Sequence, residues 1–134
     1  MKLSFEQKYE LAKKAYDNAY APYSKFQVGA VLVLKNGEII TGSNIENASY
    51  GLTNCAERSA LFTTYGLGYR KEDILGIAIA SLSTEPASPC GACRQVISEL
   101  MDQDAFVVYG NDIDVVYEMT VKDLLPGAFS KENL

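Results

Sequence analysis

The 134-residue chain contains no histidine, three cysteines, four prolines and no long apolar run. Without histidine, imidazole is excluded from any metal site, which would have to be built on sulfur and carboxylate. No stretch approaches the roughly 18 uninterrupted apolar residues that a bilayer span requires. The opening segment, Met1 to Glu10, is polar and helix-like, not an apolar leader. A cytoplasmic protein with no membrane partner is therefore expected. Basic residues are also in deficit, with 12 Lys and Arg against 17 Asp and Glu and a formal net charge of -5. Affinity for nucleic acid rests on clustered Lys and Arg that neutralise phosphates, so a nucleic-acid partner is not expected. An odd number of thiols with no secretion signal disfavours a disulfide framework and points to metal binding or catalysis. Repeats, linkers and low-complexity tracts are missing too. With 48% hydrophobic and 22% charged residues, the chain reads as a single domain over 1–134 with a real core.

What is present reads as an alternation of helices and strands. Ser4 and Gln7 have the spacing of a capping box, and Phe5, Tyr9, Ala12, Tyr16 and Ala19 recur at helical spacing until Pro22. The runs Phe26 to Lys35 and Glu38 to Asn44 are rich in β-formers and flank Asn36-Gly37, a pair suited to the positive φ angles of a two-residue hairpin turn. A second helix is expected over Cys55 to Tyr65, entered from a loop with Asn44, Asn47 and Asn54 and left through Gly66 and Gly68. Ile74 to Leu82 has the near-continuous apolar character of a central strand covered on both faces. After a loop at Ser83 to Pro89, a third helix runs from about Cys90 to Met101. Ala105 to Tyr109 and Asp114 to Met119 are strands joined by too few residues for a parallel crossover, so they pair antiparallel. A short helix at Thr120 to Leu125 and a tail with Pro126, Gly127 and Phe129 follow. The expected architecture is α/β, one mixed sheet with helices on both faces.

Cys90-Gly91-Ala92-Cys93 has the two-residue gap that lets two sulfurs reach one ion from the first turn of a helix, with Pro89 marking the start. Alone, such a pair could equally be a redox couple or two buried cysteines. Cys55-Ala56-Glu57 adds a third thiolate and a carboxylate at another helix start. Three ligands suit a catalytic zinc site, because a closed structural site needs a fourth Cys or His and none is left to supply it. A zinc held by three protein ligands, with a glutamate that is not a ligand and a Pro-Cys-x-x-Cys segment, is the arrangement of zinc deaminases of nucleobases. Three thiolates leave a dication site at about -1, so compensating positive charge is needed. The N-terminal dipoles of the two helices, Arg58 and Arg94 are the sources, with Arg58 the first choice to hydrogen-bond a thiolate. For either arginine the other reading is a solvated helix surface. Glu57 would be favoured by the dipole of its first turn even without a chemical role, but its place two residues after a ligand suits a proton carrier.

These stretches, Cys55-Ala56-Glu57-Arg58 and Ser88-Pro89-Cys90-Gly91-Ala92-Cys93-Arg94-Gln95, resemble the small homotetrameric, three-cysteine cytidine deaminases. Tyr20-Ala21-Pro22-Tyr23-Ser24-Lys25-Phe26, Asn44-Ile45-Glu46-Asn47 and Leu124-Leu125-Pro126-Gly127-Ala128-Phe129 are similar to that family as well, so the resemblance runs from about residue 16 to 130. It implies the three-layer α-β-α fold of cytidine deaminases with a five-stranded sheet, one zinc per subunit on Cys55, Cys90 and Cys93, a homotetramer, and a free pyrimidine nucleoside as substrate. Asn44 and Glu46 would hold the ribose, Phe26 would pack against base or sugar, and Phe129 would reach the base in a neighbouring subunit. Backbone groups of Ala56 and Ser88 would meet the pyrimidine edge, and Gln95 would support the site from behind. Read without the family, Asn44 and Glu46 are strand-end turn residues, and Phe26 and Phe129 are apolar core. The segment Thr84-Glu85-Pro86-Ala87 departs from the family's pattern.

The implied reaction is hydrolytic deamination of cytidine and deoxycytidine to uridine and deoxyuridine. Glu57 would accept a proton from a metal-activated water and deliver protons to ring N3 and the departing amine. Three rivals make different demands. A deaminase of an aminopyrimidine antibiotic nucleoside would present a different sugar-binding surface. A polynucleotide deaminase typically pairs its last two strands in parallel, and a zinc module used only for folding would have its fourth coordination position filled.

Overall fold

The computed structural model describes residues 4–81, 88–110 and 116–131. Its elements, in order, are α1 (Phe5–Ala15), β1 (Val28–Leu34), β2 (Ile39–Ser43), α2 (Ala56–Gly66), β3 (Ile74–Ser81), α3 (Gly91–Leu100), β4 (Phe106–Gly110), β5 (Val116–Thr120) and α4 (Val121–Leu124). Helix α1 opens with the expected capping box. Ser4 Oγ accepts from the Gln7 amide at 3.1 Å, while the Gln7 side chain accepts from the Ser4 amide at 2.8 Å, so two of the orphan donors of the first turn are satisfied. The helix stops at Ala15, earlier than the apolar spacing suggests, and passes into a 3-10 turn over Tyr16–Asn18. Asp17 and Asn18, whose short polar side chains compete for backbone hydrogen bonds, weaken α-helix at this point.

The five strands form one sheet in the order β2-β1-β3-β4-β5. β1 is antiparallel to both β2 and β3, with Leu32 opposite Ile40 on one side and Ile77 on the other. β3 and β4 run parallel, as the intervening α3 allows. β4 and β5 pair antiparallel, as their short connection requires, with Val108 opposite Glu118. The β1–β2 turn differs from the two-residue form. Among the described residues outside glycine only Lys25 has positive φ, and the left-handed position of this turn is Gly37, at φ 93°. The amide of Leu34 donates to the Glu38 carbonyl at 3.0 Å and that of Gly37 to the Leu34 carbonyl at 3.1 Å. The loop is therefore three residues long, closed by a glycine in the left-handed region.

Strand β3 is central and its side chains are buried on both faces. On one face Tyr9, Ala12 and Ala15 of α1 pack on Val31, Val33, Ala78, Ala80 and Val108. On the other, Ala60 and Leu61 of α2, Ile97 of α3 and Val121 and Leu124 of α4 cover Leu32, Ile77, Ile79 and Val107. This is the three-layer α-β-α arrangement. Gly42 sets the spacing of the second layer, since a Cβ there would lie 2.6 Å from both the Ala56 carbonyl oxygen and the Ala60 nitrogen. Strand β2 and the first turn of α2 approach that closely because position 42 has no side chain.

Candidate active site

Two helix starts converge beyond the end of the sheet. Cys55 is the N-cap of α2 and Cys90 the N-cap of α3, neither using its side chain to cap the helix, while Cys93 lies on the third residue of α3. The three sulfurs lie within 4.8 Å of one another. Cys93 is buried, Cys55 half-buried and Cys90 exposed. Cys55 is pushed down to about 5, chiefly by a hydrogen bond from Cys93 and further by Arg58, whose Nη2 donates to Cys55 Sγ at 3.3 Å. Cys93 is pushed up, because it serves as donor to the Cys55 thiolate and because it is buried. The arrangement holds negative charge on sulfur at a spacing short enough for one ion to replace the shared proton. That donor set, three thiols with no imidazole, fits zinc.

Glu57, on the second residue of α2, is only 5% exposed. Burial and the charge on Cys55 hold its carboxyl above the usual range. It borders a cavity of about 400 Å3 together with Cys55, Cys90, Phe26, Asn44 and Glu46, a volume within the usual range of small-molecule sites. Ala56 and Ser88 border it too. Segment 44–46 is the hinge of this wall. Its backbone bonds to Tyr20 on one side, through Tyr20 N to Asn44 O at 2.9 Å and Glu46 N to Tyr20 O at 2.8 Å, and to Asn54 on the other at 3.0 Å. The loop before β1 and the chain entering α2 are thus held on opposite sides of Asn44 and Glu46.

The side chains of that segment are more committed to their own chain than the sequence suggests. Asn44 accepts from the Val28 amide at 2.9 Å and donates to the Phe26 carbonyl at 2.8 Å. Glu46 accepts from the amides of Tyr23 and Ser24 at 2.9 and 3.0 Å and from the Ser24 hydroxyl. The Ser24 contacts, then the Tyr23 amide and Lys25, hold the Glu46 carboxyl below its ordinary value. Ser24 Oγ in turn accepts from the Phe26 amide at 3.0 Å, and Lys25 between them takes a left-handed φ of 62°. A lysine in that region is uncommon; this turn is what places Phe26 at the cavity rim. No site role was expected of Ser24, Thr53 or Asn54, which also line the cavity. Ser24, two residues before Phe26 and able to hydrogen-bond its own turn, carried the one available signal.

The remaining expectations divide. Arg58 meets a thiolate as expected, and its Nε is buried with no hydrogen-bond partner among the described residues. Arg94 is neither a thiolate partner nor a solvated surface residue, because its guanidinium donates to two backbone carbonyls, Pro89 at 2.8 Å and Leu124 at 2.7 Å. Gln95 donates to the Phe129 carbonyl at 2.9 Å, so it anchors the tail. Phe129 is 59% exposed and does not line the cavity. The segment Thr84-Glu85-Pro86-Ala87 lies outside the described residues.

Similarity to known proteins agrees with this geometry. A family model for the cytidine and deoxycytidylate deaminase zinc-binding region matches residues 4–110. The chain is 54% identical over 123 residues to a cytidine deaminase of Halalkalibacterium halodurans, with 92% of each chain covered. It is 40% identical over 126 residues to a probable cytidine deaminase of Dictyostelium discoideum, covering 93% of this chain and 83% of that one. The crystal structure of cytidine deaminase from Burkholderia pseudomallei superposes with a TM-score of 0.90 at 47% identity, covering 95% of this chain and all of that one. A family match over four-fifths of the sequence, carried by the segments that bring the three cysteines together, establishes that this chain belongs to the cytidine and deoxycytidylate deaminase family.

Proposed function

We propose that the chain is a zinc-dependent cytidine deaminase, converting cytidine and deoxycytidine to uridine and deoxyuridine with release of ammonia. The observation that carries this reading is the opening of Cys55, Cys90 and the buried Glu57 into one nucleoside-sized cavity. Cys55, Cys90 and Cys93 would hold the metal. Zinc so held supplies the Lewis acidity that makes water a nucleophile at neutral pH.

Glu57 is the proton carrier. Burial favours its protonated form, so it can give a proton to N3, making C4 electrophilic, take one from the attacking water and pass it to the 4-amino group, which leaves as ammonia while the proton of the new C4 hydroxyl returns to the carboxylate. Backbone groups of Ala56 and Ser88 face the pyrimidine edge. Phe26 packs on the base or sugar, and Asn44 and Glu46, fixed by their bonds to residues 23–28, offer their remaining lone pairs and the second amide proton to the ribose. Arg58 balances the thiolate charge, and Gln95 supports the site through the tail. Among the described residues no Lys or Arg lines the cavity, which favours a free nucleoside over a phosphorylated one or a polynucleotide. The antiparallel β4–β5 pair points the same way.

The active form is proposed to be a homotetramer of single-domain subunits in which Phe129 enters a neighbouring copy's site. Its exposed ring, and the exposed Tyr50 and Leu52 at 76% and 72%, support a covering partner. A reducing cytoplasm suits three cysteines that must stay thiols to bind metal. Among the described residues no helix is long and apolar enough to cross a membrane. The reaction is tested by incubating cytidine in isotopically labelled water with coupled detection of ammonia. The reading requires one label at position 4 of uridine per ammonia released, with both lost after metal removal by a chelator and restored by zinc.

A further inference from the structure

The motif Cys90-Gly91-Ala92-Cys93-Arg94 ends on a cation whose hydrogen bonds, among the described residues, go to backbone carbonyls and none to sulfur. The Arg94 backbone amide donates to the Cys90 carbonyl at 2.9 Å, its Nε to the Pro89 carbonyl at 2.8 Å and its Nη1 to the Leu124 carbonyl at 2.7 Å. One residue therefore grips two consecutive carbonyls around Cys90 and ties them, across 30 residues of sequence, to the last residue of α4. Pro89 is buried, so its carbonyl needs a partner within the protein. Leu124 offers one of the unpaired carbonyls of a helix end. The hold matters because Cys90 is the exposed member of the cysteine triad, sits at an N-cap with no capping bond from its own side chain, and is preceded by the irregular chain that also presents Ser88 to the cavity. Nothing else among the described hydrogen bonds fixes that approach to α3.

We propose that Arg94 is a positioning residue for the metal centre. By clamping the Pro89–Cys90 backbone to α4, it keeps the Cys90 sulfur at ligand distance from Cys55 and Cys93, and so sets how long the triad retains its ion. The inference rests on the zinc reading of the triad but concerns retention of metal, not turnover. Outer-shell partners of ligands typically alter metal affinity by about 10- to 100-fold. Planarity is central, since two carbonyls in different directions are met by one guanidinium fork; a lysine has a single point of donation and can satisfy one of them at a time.

The test is zinc release from the loaded protein into an excess of chromophoric chelator, for wild type, Arg94→Lys and Arg94→Ala, with denaturant midpoints for each. Val31→Ala, in the apolar layer on the opposite face of the sheet, serves as a destabilised control. The clamp predicts release faster by about 10-fold or more in Arg94→Ala, an intermediate rate in Arg94→Lys, and an unchanged rate in Val31→Ala despite its lowered midpoint. Release that simply follows the midpoints across all variants, or is unaltered in both Arg94 variants, overturns it. If Arg94→Ala does not fold, Arg94→Lys decides alone. Metal analysis of the wild type separates the two levels of argument: a wild type without zinc sinks the metal reading, whereas a zinc-loaded wild type with unaltered release in the variants sinks only the clamp.

Discussion

Arg58 Nη2 lies 3.3 Å from Cys55 Sγ, three residues back at the N-cap of the same helix. The contact lets one helical turn supply a ligand, its counter-charge and, between them at Glu57, a buried carboxyl. In the metal-free protein it predicts an unusually acidic thiol. Cys55 is held near pKa 5 by Cys93 and Arg58, so alkylation at Cys55 should already be near its plateau at pH 7. Arg58→Ala removes one of three supports, Cys93, Arg58 and Cys90, and should move the alkylation profile to higher pH. A profile that stays in place would show that the neighbouring cysteines set the thiolate.

Gly42 should be irreplaceable by alanine for a reason located in α2, not in its own strand. The added Cβ would fall 2.6 Å from backbone atoms of Ala56 and Ala60, and backbone cannot swing aside. Overpacking of this kind costs about 1–3 kcal/mol or more, and the displaced turn carries Cys55 and Glu57. Gly42→Ala should lower both the denaturant midpoint and zinc content. Gly66→Ala, where a Cβ meets nothing within 4 Å, should lower neither.

Asn44 and Glu46 should fail differently. Asn44 is 8% exposed and bonds the backbone at both Val28 and Phe26. Asn44→Ala leaves those groups unpaired, which costs about 1–3 kcal/mol, and should raise KM as the rim loosens. Glu46 is charged in the fold because its carboxyl lies below its ordinary value. A depressed folded pKa contributes stability above the unfolded value of about 4.5 that is lost as pH falls through the folded pKa. The denaturant midpoint of the wild type should therefore drop on acidification below that value, and Glu46→Gln should show a smaller drop.

Glu57 carries the opposite sign. Its folded pKa is raised by burial, so its contribution is fully present below the unfolded value and is lost as pH rises through the folded one. Above the unfolded value a carboxyl whose ionisation is disfavoured is a burden on the metal-free fold, so at pH 7 Glu57→Gln should stabilise that form by about 1 kcal/mol, a usual gain where a functional group is removed. The gain should shrink toward pH 4. An unchanged midpoint at pH 7 would mean that the folded carboxyl is not disfavoured by its surroundings.

The cysteine cluster was legible because cysteine is so scarce: three residues, all at helix starts, leave little room for another grouping. The antiparallel β4–β5 pair followed from its short connection and the central place of β3 from its near-continuous apolar run, whereas the order of the five strands had no such local signal. Arg94 was not legible, because its partners are the carbonyls of Pro89 and Leu124, and a carbonyl has no signature in side-chain identity. The same limit hid the inward commitment of Asn44 and Glu46, whose partners, the Ser24 hydroxyl apart, are backbone groups of residues 23–28. Helix α1 ends at Ala15 because local turn chemistry at Asp17 and Asn18 overrides an apolar spacing that continues to Ala19. The Gly37 turn shows that a dipeptide signal specifies a reversal without specifying its length.

The central claim is that Glu57 moves the protons while the cysteines hold the metal, and it is tested by following the loss of cytidine absorbance with wild type and Glu57→Gln at equal zinc content, measured by metal analysis. The account predicts that zinc-loaded wild type converts cytidine and that Glu57→Gln, with the same zinc, is slower by at least the 10²- to 10⁴-fold typical of a general acid and base, roughly. A zinc-loaded Glu57→Gln that turns over like wild type would contradict it, as would a zinc-loaded wild type that leaves cytidine unchanged.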